Sequence, residues 1–441
     1  MKKIIIRDQT PIMPFNEPAR DLRIMNKPLW LWQRDILSPY CHEEVECSSL
    51  RSASFLPPEI VSDEVVVYRD NLFFDETLFK EFITLARNSG RAAQVAFSRN
   101  DKAIVTHALP LSENIRPDGD LYVADLFYYP DGTTIGKVEP EPIVIETMST
   151  EIGYYRVPSY MANERKELLF EVPLRVFLSI DSWVHIFIAN CPFGMFSYGA
   201  RIEKSLDNLG VMLKVLWRSL LERKQFLSSS ALVIVGRNTQ IDPAAVIQGP
   251  TIIGDNVTIG PGCVINASLI GNNVNIMQGA QLMVSVVGDG CYIPFRAALF
   301  LTTLMENSMV AQNTCLQACV VGRNTFIGAG NTFTDFNLLA KPIKVMHQGK
   351  YQDVGLPVLG GCVGHNCRVG SGHIIYPART IESDVVLFAK QERTIITENV
   401  RYEDSDHHNY PDQQHVAQYH QDIFSNDDSF SAEELVESTT N

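Results

Sequence analysis

The second half of the chain contains a run of hexapeptides that decides the fold: VGRNTQ begins at Val235, IDPAAV at Ile241, IGDNVT at Ile253 and IGPGCV at Ile259. Further hexapeptides of the same pattern begin at Ile270, Val287, Val321, Ile327, Val363 and Val369. A second spacing groups them, because Ile253, Ile270, Val287, Leu304 and Val321 follow one another at intervals of 17 residues. Repeats at a fixed period indicate stacked units, each of which buries its apolar side against its neighbours. The sequence therefore predicts stacked coils of about three hexapeptides each.

This pattern resembles the hexapeptide-repeat family of left-handed parallel β-helices. The resemblance implies coils of 17–18 residues with three short strands each, in which the aliphatic residue that opens a hexapeptide points inward. The residue four positions later also points inward and is usually small; this position holds Thr239, Ala245, Val257, Cys263, Val274, Ala280, Cys291 and Thr325. We therefore expect Cys263, Cys291 and Cys367 to be buried thiols in a narrow core rather than nucleophiles. The left-handed sense rests on the resemblance alone, because crossovers between parallel strands are otherwise right-handed.

Two departures from the repeat have open interpretations. The pattern stops near Leu338 and resumes at Val363, so we predict an inserted loop at about 338–362, which either forms a binding face or is an idle surface loop. Two inward positions hold bulky polar residues, His373 and Arg379, instead of small ones. Either the last coils are open at their end or these side chains line a site, because a polar group in an apolar prism needs a partner.

Residues 1–203 show no repeat and predict an α/β domain. Strand-like runs lie at 3–7, 64–69, 92–97, 121–129, 142–146 and 174–180, and helical patterns lie at 27–37, 75–90 and 181–190. Asp75 is the expected N-cap and Gly90 the expected stop of the second helix. Residues 204–228 predict a connecting amphipathic helix, which we expect to pack on the first coil rather than to lie on a membrane surface. The predicted β-helix covers residues 229–400.

Composition argues against several classes of protein. The chain has 441 residues, 45% of them apolar, and a net charge of −14, which predicts two or three domains with sizeable cores. The acidic balance argues against nucleic acid and against a polybasic contact with membranes. Residues 401–441 hold ten Asp and Glu against one Arg, so we predict an acidic, disordered tail there and a charge of only −5 on the other 400 residues. The sequence has no apolar run of 18 residues, no signal-peptide core and no CxxC pair among its nine cysteines, which together indicate a cytoplasmic protein.

An α/β domain, a connecting helix and a β-helix form the layout of sugar-1-phosphate nucleotidyltransferases, and the chain most resembles the bifunctional UDP-N-acetylglucosamine pyrophosphorylase/glucosamine-1-phosphate acetyltransferase family. Residues 14–37, PFNEPARDLRIMNKPLWLWQRDIL, resemble the opening of a divergent branch of these nucleotidyltransferases. The resemblance implies binding of a nucleoside triphosphate with Mg in this half of the chain. The Gly-rich phosphate loop of the family is absent, so Arg20, Arg23 and Lys27 are the candidates for binding phosphate by charge, and Asp125 is the candidate magnesium ligand.

The β-helix also carries segments that resemble an acetyl-CoA site. GAGNTFTDFN at 328–337 resembles the family's segment near acetyl-CoA, and VGSGHIIYPARTI at 369–381 resembles the coil that follows. The family's catalytic His lies one coil earlier, where this chain has no His, so His373 or His347 is the candidate base. The remaining candidates are Asp335 as a catalytic or orienting carboxylate, Asn337 to orient the substrate, and Lys341, Lys344 and Arg379 to bind phosphate or CoA.

The function predicted from these patterns is nucleotidyl or acyl transfer involving a sugar phosphate or nucleotide sugar, by a cytoplasmic homotrimer joined through its β-helix. Acetyl-CoA or a nucleoside triphosphate with Mg would be the cosubstrate, and neither nucleic acid nor a membrane is an expected partner. A non-catalytic trimeric scaffold or ligand sensor is the alternative, because the family's phosphate loop and catalytic His are both absent. A γ-type carbonic anhydrase is disfavoured, since His365 and His373 are eight residues apart and out of register with the coils.

Overall fold

Two architectures follow one another along the chain. The computed structural model describes residues 1–57, 63–156, 158, 167–339, 341–410, 412 and 415–420. A mixed α/β unit comes first, and a parallel β-helix with strands from Val233 to Ile396 follows it. The predicted order of an α/β region before a parallel β-helix is therefore confirmed. Among the described residues, no helix combines the length and the apolar character needed to cross a bilayer.

A mixed sheet forms the centre of the N-terminal unit. Its strands lie side by side in the order Glu141–Val144, Ala93–Ser98, Leu121–Tyr129, Val65–Arg69, Lys2–Ile6 and Glu43–Cys47, and Ile115–Asp118 pairs with Leu121–Tyr129. Lys2–Ile6 runs parallel to both of its neighbours, whereas Leu121–Tyr129 is antiparallel to its own. The residues that follow the parallel strands Lys2–Ile6, Glu43–Cys47 and Val65–Arg69 therefore lie together at one edge of the sheet. Smaller strand pairs are Leu72–Phe74 with Phe177–Ser179, Thr150–Arg156 with Glu167–Val172, Pro11–Ile12 with Glu17–Pro18, and Arg23–Ile24 with Lys27–Pro28.

The helices of the described residues largely follow the predicted patterns. The α-helices are Leu29–Leu37, Leu50–Ala53, Glu76–Ser89, Trp183–Asn190, Ser197–Leu206 and Leu209–Glu222. Asp75 accepts a hydrogen bond from the Leu78 N–H, and Gly90 adopts a φ of 64°, so both predicted caps of Glu76–Ser89 are confirmed. The single helix predicted over 204–228 is wrong, because Asn208 separates two helices and caps the second one through the Gly210 N–H.

The β-helix has three faces, each a parallel sheet with one strand from each of eight coils within the described residues. The first face comprises Val233–Val235, Thr251–Ile253, Leu269–Ile270, Val286–Val287, Thr303–Leu304, Val320–Val321, Cys362–Val363 and Thr380–Ile381. The second comprises Gln240–Ile241, Thr258–Ile259, Asn275–Ile276, Tyr292–Ile293, Met309–Val310, Phe326–Ile327, Arg368–Val369 and Val386–Leu387. The third comprises Val246–Gln248, Val264–Asn266, Gln281–Met283, Ala298–Phe300, Cys315–Gln317, Thr332–Phe333, Ile374–Ile375 and Ile395–Ile396. We number the coils 1 to 8 in this order.

The interior of the β-helix follows from the hexapeptide phase. Residues 17 apart stack directly, as Ile253 on Ile270 and Ile270 on Val287, and their side chains are buried. The corner between the first and second faces needs a positive φ, which Asn, Asp and Gly tolerate; it holds Asn238, Asn256, Asn273, Gly290, Asn307, Asn324, Asn366 and Asp384. Cys291 and Cys367 are fully buried, and burial raises the pKa of each thiol to about 12. These thiols are core residues, as predicted.

The three faces have different surroundings. Outward side chains of the first face, including Val286, Val320 and Cys362, are buried in the same apolar cluster as the N-terminal unit. The third face is open to solvent. Its outward positions carry no charge in any of the eight coils and hold Val246, Val264, Gln281, Ala298, Cys315, Thr332, Ile374 and Ile395.

The helix Leu209–Glu222 presents an apolar stripe to solvent at one end of the β-helix. It is buried at Val215 and Ser219. Six large apolar residues are between 43% and 70% exposed, namely Leu209, Leu213, Leu216, Trp217, Leu220 and Leu221. Most of the apolar side of this helix is therefore not covered by the first coil.

Residues 14–26, called the strap below, run along the corner between the first and second faces from coil 8 to coil 4. On coil 8, Ser383 Oγ donates to the carbonyls of Pro14 and Phe15, and Asn16 donates to Glu382. On coils 7 and 6, Phe15 packs on His365 and Glu17 pairs with Arg323. On coils 5 and 4, Arg23 pairs with Glu306 and Asn26 donates to the Val287 carbonyl. The strap therefore fixes the N-terminal unit to five consecutive coils.

Part of the predicted disordered tail is folded. Residues 401–410 contain two 3-10 helices, Tyr402–Asp404 and Asp406–Asn409. Asp406 pairs with Lys390 at 2.6 Å and with Arg393 at 2.8 Å, which holds this segment on coil 8. Residues 415–420, called the tail segment below, lie on the same corner as the strap. The prediction of disorder is wrong for these parts, and residues 421–441 lie outside the described residues.

Candidate functional site

The inserted loop leaves the β-helix at the corner between the third and first faces in coil 6, and Asp335 lies at this corner. Its backbone carbonyl accepts a hydrogen bond from the Leu359 N–H at 2.8 Å, so the two ends of the insertion are tied together there. The carboxyl group is half-buried, and among the described residues no side chain pairs with it. Burial raises the pKa of Asp335 to about 6. A carboxyl group that titrates near neutrality is suited to accept and return a proton.

Cys315 lies one coil earlier on the open third face, and its thiol is exposed. Burial of part of its surface, and after that the charge of Asp335, raises the pKa of this thiol. The two groups therefore share one surface. Sequence reasoning assigned Cys315 no role, although the hexapeptide phase places Leu316 inward and so turns its neighbour outward. Asn337 is close in sequence, but its side chain accepts from the Leu339 N–H at 3.3 Å and closes a local turn.

Arg379 leaves the prism and holds the insertion. The insertion forms a hairpin of two strands, Lys344–His347 and Lys350–Asp353. The Arg379 guanidinium donates to the Lys344 carbonyl at 3.1 Å and to the Tyr351 hydroxyl at 3.3 Å, and it lies 5.5 Å from the Tyr351 ring centroid. The structure therefore brings Arg379, Lys344 and Tyr351 together, while Lys341 is exposed on the segment that leads into the hairpin.

His347 lies on the opposite side of the hairpin, against the N-terminal unit. Its Nε2 is 3.4 Å from a Glu113 carboxylate oxygen, and Gln348 donates to the same carboxylate. Ile343 and Val345 of the insertion are buried in the core of the N-terminal unit. The insertion therefore packs between the N-terminal unit and the β-helix. Its interpretation as an idle surface loop is wrong.

His373 lies inside the prism and is fully buried. The backbone N–H of His373 donates to Asn331 Oδ1 at 2.6 Å. In the imidazole ring, Nδ1 is 3.2 Å from the Gly370 carbonyl, and Nε2 has no partner among the described residues. Coil 8 continues below it, so the interpretation that the prism is open at this level is wrong. A base must contact its substrate, and this enclosure gives His373 no path to one.

The three basic residues of the N-terminal unit that were proposed to bind phosphate do not form one group. Arg20 pairs with Asp70 at 3.3 Å and with Glu46 at 3.5 Å, at the edge where the parallel strands end. Arg23 pairs with Glu306 of the β-helix, and Lys27 pairs with Asp35. Each cation thus already has a carboxylate partner within the chain.

Asp70 is the buried centre of this edge of the sheet. Arg7 joins Arg20 there and lies 3.1 Å from the Asp70 carboxylate. Burial nevertheless outweighs both arginines and raises the pKa of Asp70 to about 6. Sequence reasoning did not select Asp70, although its position directly after the strand Val65–Arg69 was a usable signal.

Asp125 does not have the free oxygens that a magnesium ligand needs. Its two carboxylate oxygens lie 2.5 Å from Arg69 Nε and 2.6 Å from Arg116 Nη2. Among the described residues, no cluster of three or more His, Cys, Asp and Glu side chains is arranged to hold a metal ion. The expected role of Asp125 in binding Mg has no support from this geometry.

Comparison with known proteins gives one family match. Residues 233–267 match the family model of the bacterial transferase hexapeptide (six repeats). Over these residues, which belong to coils 1 and 2, the β-helix is similar to the hexapeptide repeat of that family. This match supports a transferase-like function for the hexapeptide-repeat half. No curated protein matches the chain.

One similar solved structure is the acetyltransferase domain of PglB from Neisseria gonorrhoeae FA1090 in complex with acetyl coenzyme A. It is 14% identical over 23% of this chain, with a TM-score of 0.15. The match spans 46% of the length of that structure.

Proposed function

We propose that the protein is an acyltransferase, which transfers the acetyl group of acetyl-CoA to a sugar phosphate or nucleotide sugar and works as a homotrimer. The observation that carries this proposal is Asp335, a half-buried carboxyl group with no side-chain partner among the described residues and a pKa raised to about 6. It lies in the β-helix, of which residues 233–267 match the model of the bacterial transferase hexapeptide.

In the proposed reaction, an amine or hydroxyl of the sugar attacks the thioester carbonyl. The new N–C or O–C bond forms as Asp335 accepts the proton of the attacking group. The C–S bond then breaks, and protonated Asp335 returns the proton to the leaving CoA thiolate. General acid–base assistance of this kind contributes about 10²–10⁴-fold to a rate.

The cations around the hairpin supply the proposed binding of phosphate. Lys341 and Lys344 are exposed, and among the described residues neither ammonium group pairs with a carboxylate. Arg379 is fixed by Tyr351, which supports the hairpin on which Lys344 lies. We therefore assign Lys341 and Lys344 to the phosphate groups of substrate or CoA, and Arg379 to positioning the hairpin.

Acyl transfer is favoured over nucleotidyl transfer by the state of the sheet edge in the N-terminal unit. Arg7 and Arg20 pair there with Asp70 and Glu46, and Asp125 is held by two further arginines. A nucleotide would have to displace these ion pairs, and removing the partners of the buried carboxylates Asp70 and Asp125 is destabilising.

The proposed trimer rests on one uncharged surface and one apolar surface. The third face is uncharged at its outward positions, and the helix Leu209–Glu222 exposes its apolar stripe at one end of it. Contiguous exposed apolar surface marks interaction sites. Burial of both surfaces between copies would also enclose Cys315 and the approach to Asp335. We place the protein in the cytoplasm, because its nine cysteines are free thiols, which a reducing compartment maintains.

The decisive experiment measures acetyl-CoA binding and acetyl transfer to a panel of amino and hydroxy sugar phosphates. The variant is Asp335→Asn, and the control is Asp118→Asn, an exposed carboxylate of the N-terminal sheet. Asp335→Asn should bind acetyl-CoA as the wild type does but transfer at least about 100-fold more slowly. Full activity of Asp335→Asn would overturn the assigned role of this residue.

A non-catalytic trimeric scaffold or ligand sensor is the second candidate. It is favoured by the ion-paired sheet edge and by the state of the two candidate histidines. His347 lies against the Glu113 carboxylate, and His373 is enclosed in the prism. A wild-type protein that assembles as a trimer but neither binds acetyl-CoA nor acetylates any sugar of the panel would establish this alternative.

A further inference from the structure

A cavity separates the N-terminal unit from the first face of the β-helix at coils 2 and 3. Its volume is ≈ 280 Å³. Four aromatic side chains form much of its wall, namely Trp32, Phe73, Phe193 and Tyr198, and Ile252 closes it on the side of the β-helix. Small-molecule sites are commonly concave, largely apolar and placed where domains meet.

The mouth of the cavity carries a fixed arginine. Asp75 is 7% exposed; one of its oxygens caps a helix through the Leu78 N–H, and the other accepts from Arg201 Nη1 at 2.7 Å. Arg201 Nη1 also lies 3.4 Å from the Leu174 carbonyl. These contacts fix the guanidinium but use only its Nη1, and among the described residues Nε and Nη2 have no partner. A guanidinium with one free edge is suited to bind a phosphate through two parallel hydrogen bonds.

A second, open cavity adjoins the first at Arg201 and is basic. Its volume is ≈ 560 Å³, and Lys80, Arg175 and Lys204 line it together with Arg201. The acidic residue Glu81 in this lining pairs with Arg175 at 3.4 Å. Lys80 and Lys204 are exposed and have no carboxylate partner among the described residues. Positive charge is thus concentrated at this mouth in a chain whose net charge is −14.

We propose that the two cavities form one binding site for an aromatic or heteroaromatic phosphate. The planar ring lies among Trp32, Phe73 and Tyr198, where aromatic faces favour stacking. The phosphate lies against the free edge of Arg201, with Lys80 and Lys204 completing its neutralisation. This site is at coils 2 and 3, whereas Asp335 is in coil 6, so the inference does not depend on acyl transfer.

The arrangement assigns separate roles to the two compartments. The aromatic compartment has Arg201 as the one cation among the described residues of its lining, so its remaining wall selects for a flat apolar body. The basic compartment lacks aromatic side chains, so it selects for the anion. A ligand that fills both gains affinity from each, because the second contact becomes intramolecular once the first has formed.

Calorimetric titration of the full-length protein tests the proposal at about 150 mM salt, where exposed charges are partly screened. The probes are adenosine 5′-phosphate and phenyl phosphate, with inorganic phosphate and adenosine as the matched half-ligands. We expect both ring phosphates to bind more tightly than either half-ligand. A protein that binds neither ring phosphate, or that binds inorganic phosphate equally well, would overturn the proposal.

Two variants locate the site. Lys80→Ala combined with Lys204→Ala should weaken binding of ring phosphates about tenfold, and Tyr198→Ala should weaken it while leaving the affinity for inorganic phosphate unchanged. Lys214→Ala on the helix Leu209–Glu222 removes an exposed lysine elsewhere and serves as the control. Unchanged affinity in both test variants would place the ligand elsewhere and refute the assignment. Asp335→Asn should leave these affinities intact, which separates this test from that of acyl transfer.

Discussion

Asp384 holds the tail segment on the β-helix, and Asp384→Asn tests this role. The carboxylate is fully buried. Its Oδ1 accepts from the Gln418 N–H at 2.9 Å and from the Asn366 amide at 2.7 Å, and its Oδ2 accepts from the N–H groups of Tyr419 and His420 at 2.7 Å each. Asparagine has the same size and tolerates the φ of 66° at this position, but it replaces one acceptor oxygen by an NH₂ donor.

The magnitude follows from the pairing of donors on the two oxygens. Whichever oxygen is replaced, two donors lose their acceptor. A hydrogen bond to a charged group contributes about 1.5–3 kcal/mol, so the direct loss is about 3–6 kcal/mol. Undocked backbone N–H groups can bind water instead, so we expect docking of the tail segment to weaken by about 2–4 kcal/mol. At 1.4 kcal/mol for each factor of ten, this is a change of about 30- to 1,000-fold in the docking equilibrium.

Hydrogen exchange measured by mass spectrometry is the suitable assay, because it reports the opening of one segment without requiring global unfolding. Peptides that cover 415–420 should exchange faster in Asp384→Asn, while those from coils 2 to 5 should be unchanged. Asp412→Asn alters an exposed carboxylate of the same chain end and serves as the control. Equal protection of 415–420 in the wild type and in Asp384→Asn would refute the reasoning.

Three further predictions concern pH and assembly. The pKa of about 6 at Asp335 predicts an acetyl-transfer rate that rises through this pH as the carboxylate forms, and initial rates from pH 5 to 8 should lose this rise in Asp335→Asn. Because the pKa of Asp70 is raised in the folded state, the folded protein holds this proton more tightly than the unfolded chain does. The free energy of unfolding should therefore fall as the pH rises from about 4 to about 6. Urea titrations should find a shallower fall in Asp70→Asn. The double variant Leu216→Glu with Leu220→Glu should convert the proposed trimer to monomer in sedimentation experiments and speed the reaction of Cys315 with a thiol reagent, whereas an unchanged trimer would exclude this helix from the interface.

The sequence predicts the β-helix well because its period is local. An aliphatic residue every six positions predicts which side chains point inward, and Asn or Gly at the corners predicts where φ is positive. Ile253 and Ile270 therefore stack as their spacing predicts. Predictions fail where the partner of a residue is far away in the sequence. Arg20 pairs with Asp70 across 50 positions and Arg323 with Glu17 across 306, and no local pattern records either pair.

Two other failures have local physical causes. His373 breaks the small-residue rule without forming a site, because Asn331 one coil earlier lies beside it in the prism and accepts from its backbone. The strand Glu43–Cys47 was missed because its sequence, EEVEC, holds the three charged residues of an exposed edge rather than the apolar run of a central strand. The sequence selected Asp335 as a candidate, and its role stays a prediction. The contact of Arg379 with Tyr351 could not be predicted, because it depends on how the insertion folds back.

The strap also limits how this protein can evolve. Solenoids ordinarily gain or lose repeats, because each repeat touches only its neighbours. Here one peptide is anchored to five successive coils, from Val287 to Ser383. Deletion or duplication of a coil between these anchors would displace the later ones by about 4.8 Å, the distance between neighbouring strands, which no hydrogen bond tolerates. The strap therefore acts as a ruler that fixes the number of coils, and changes of length are confined to coils 1 to 3 and to the chain beyond coil 8.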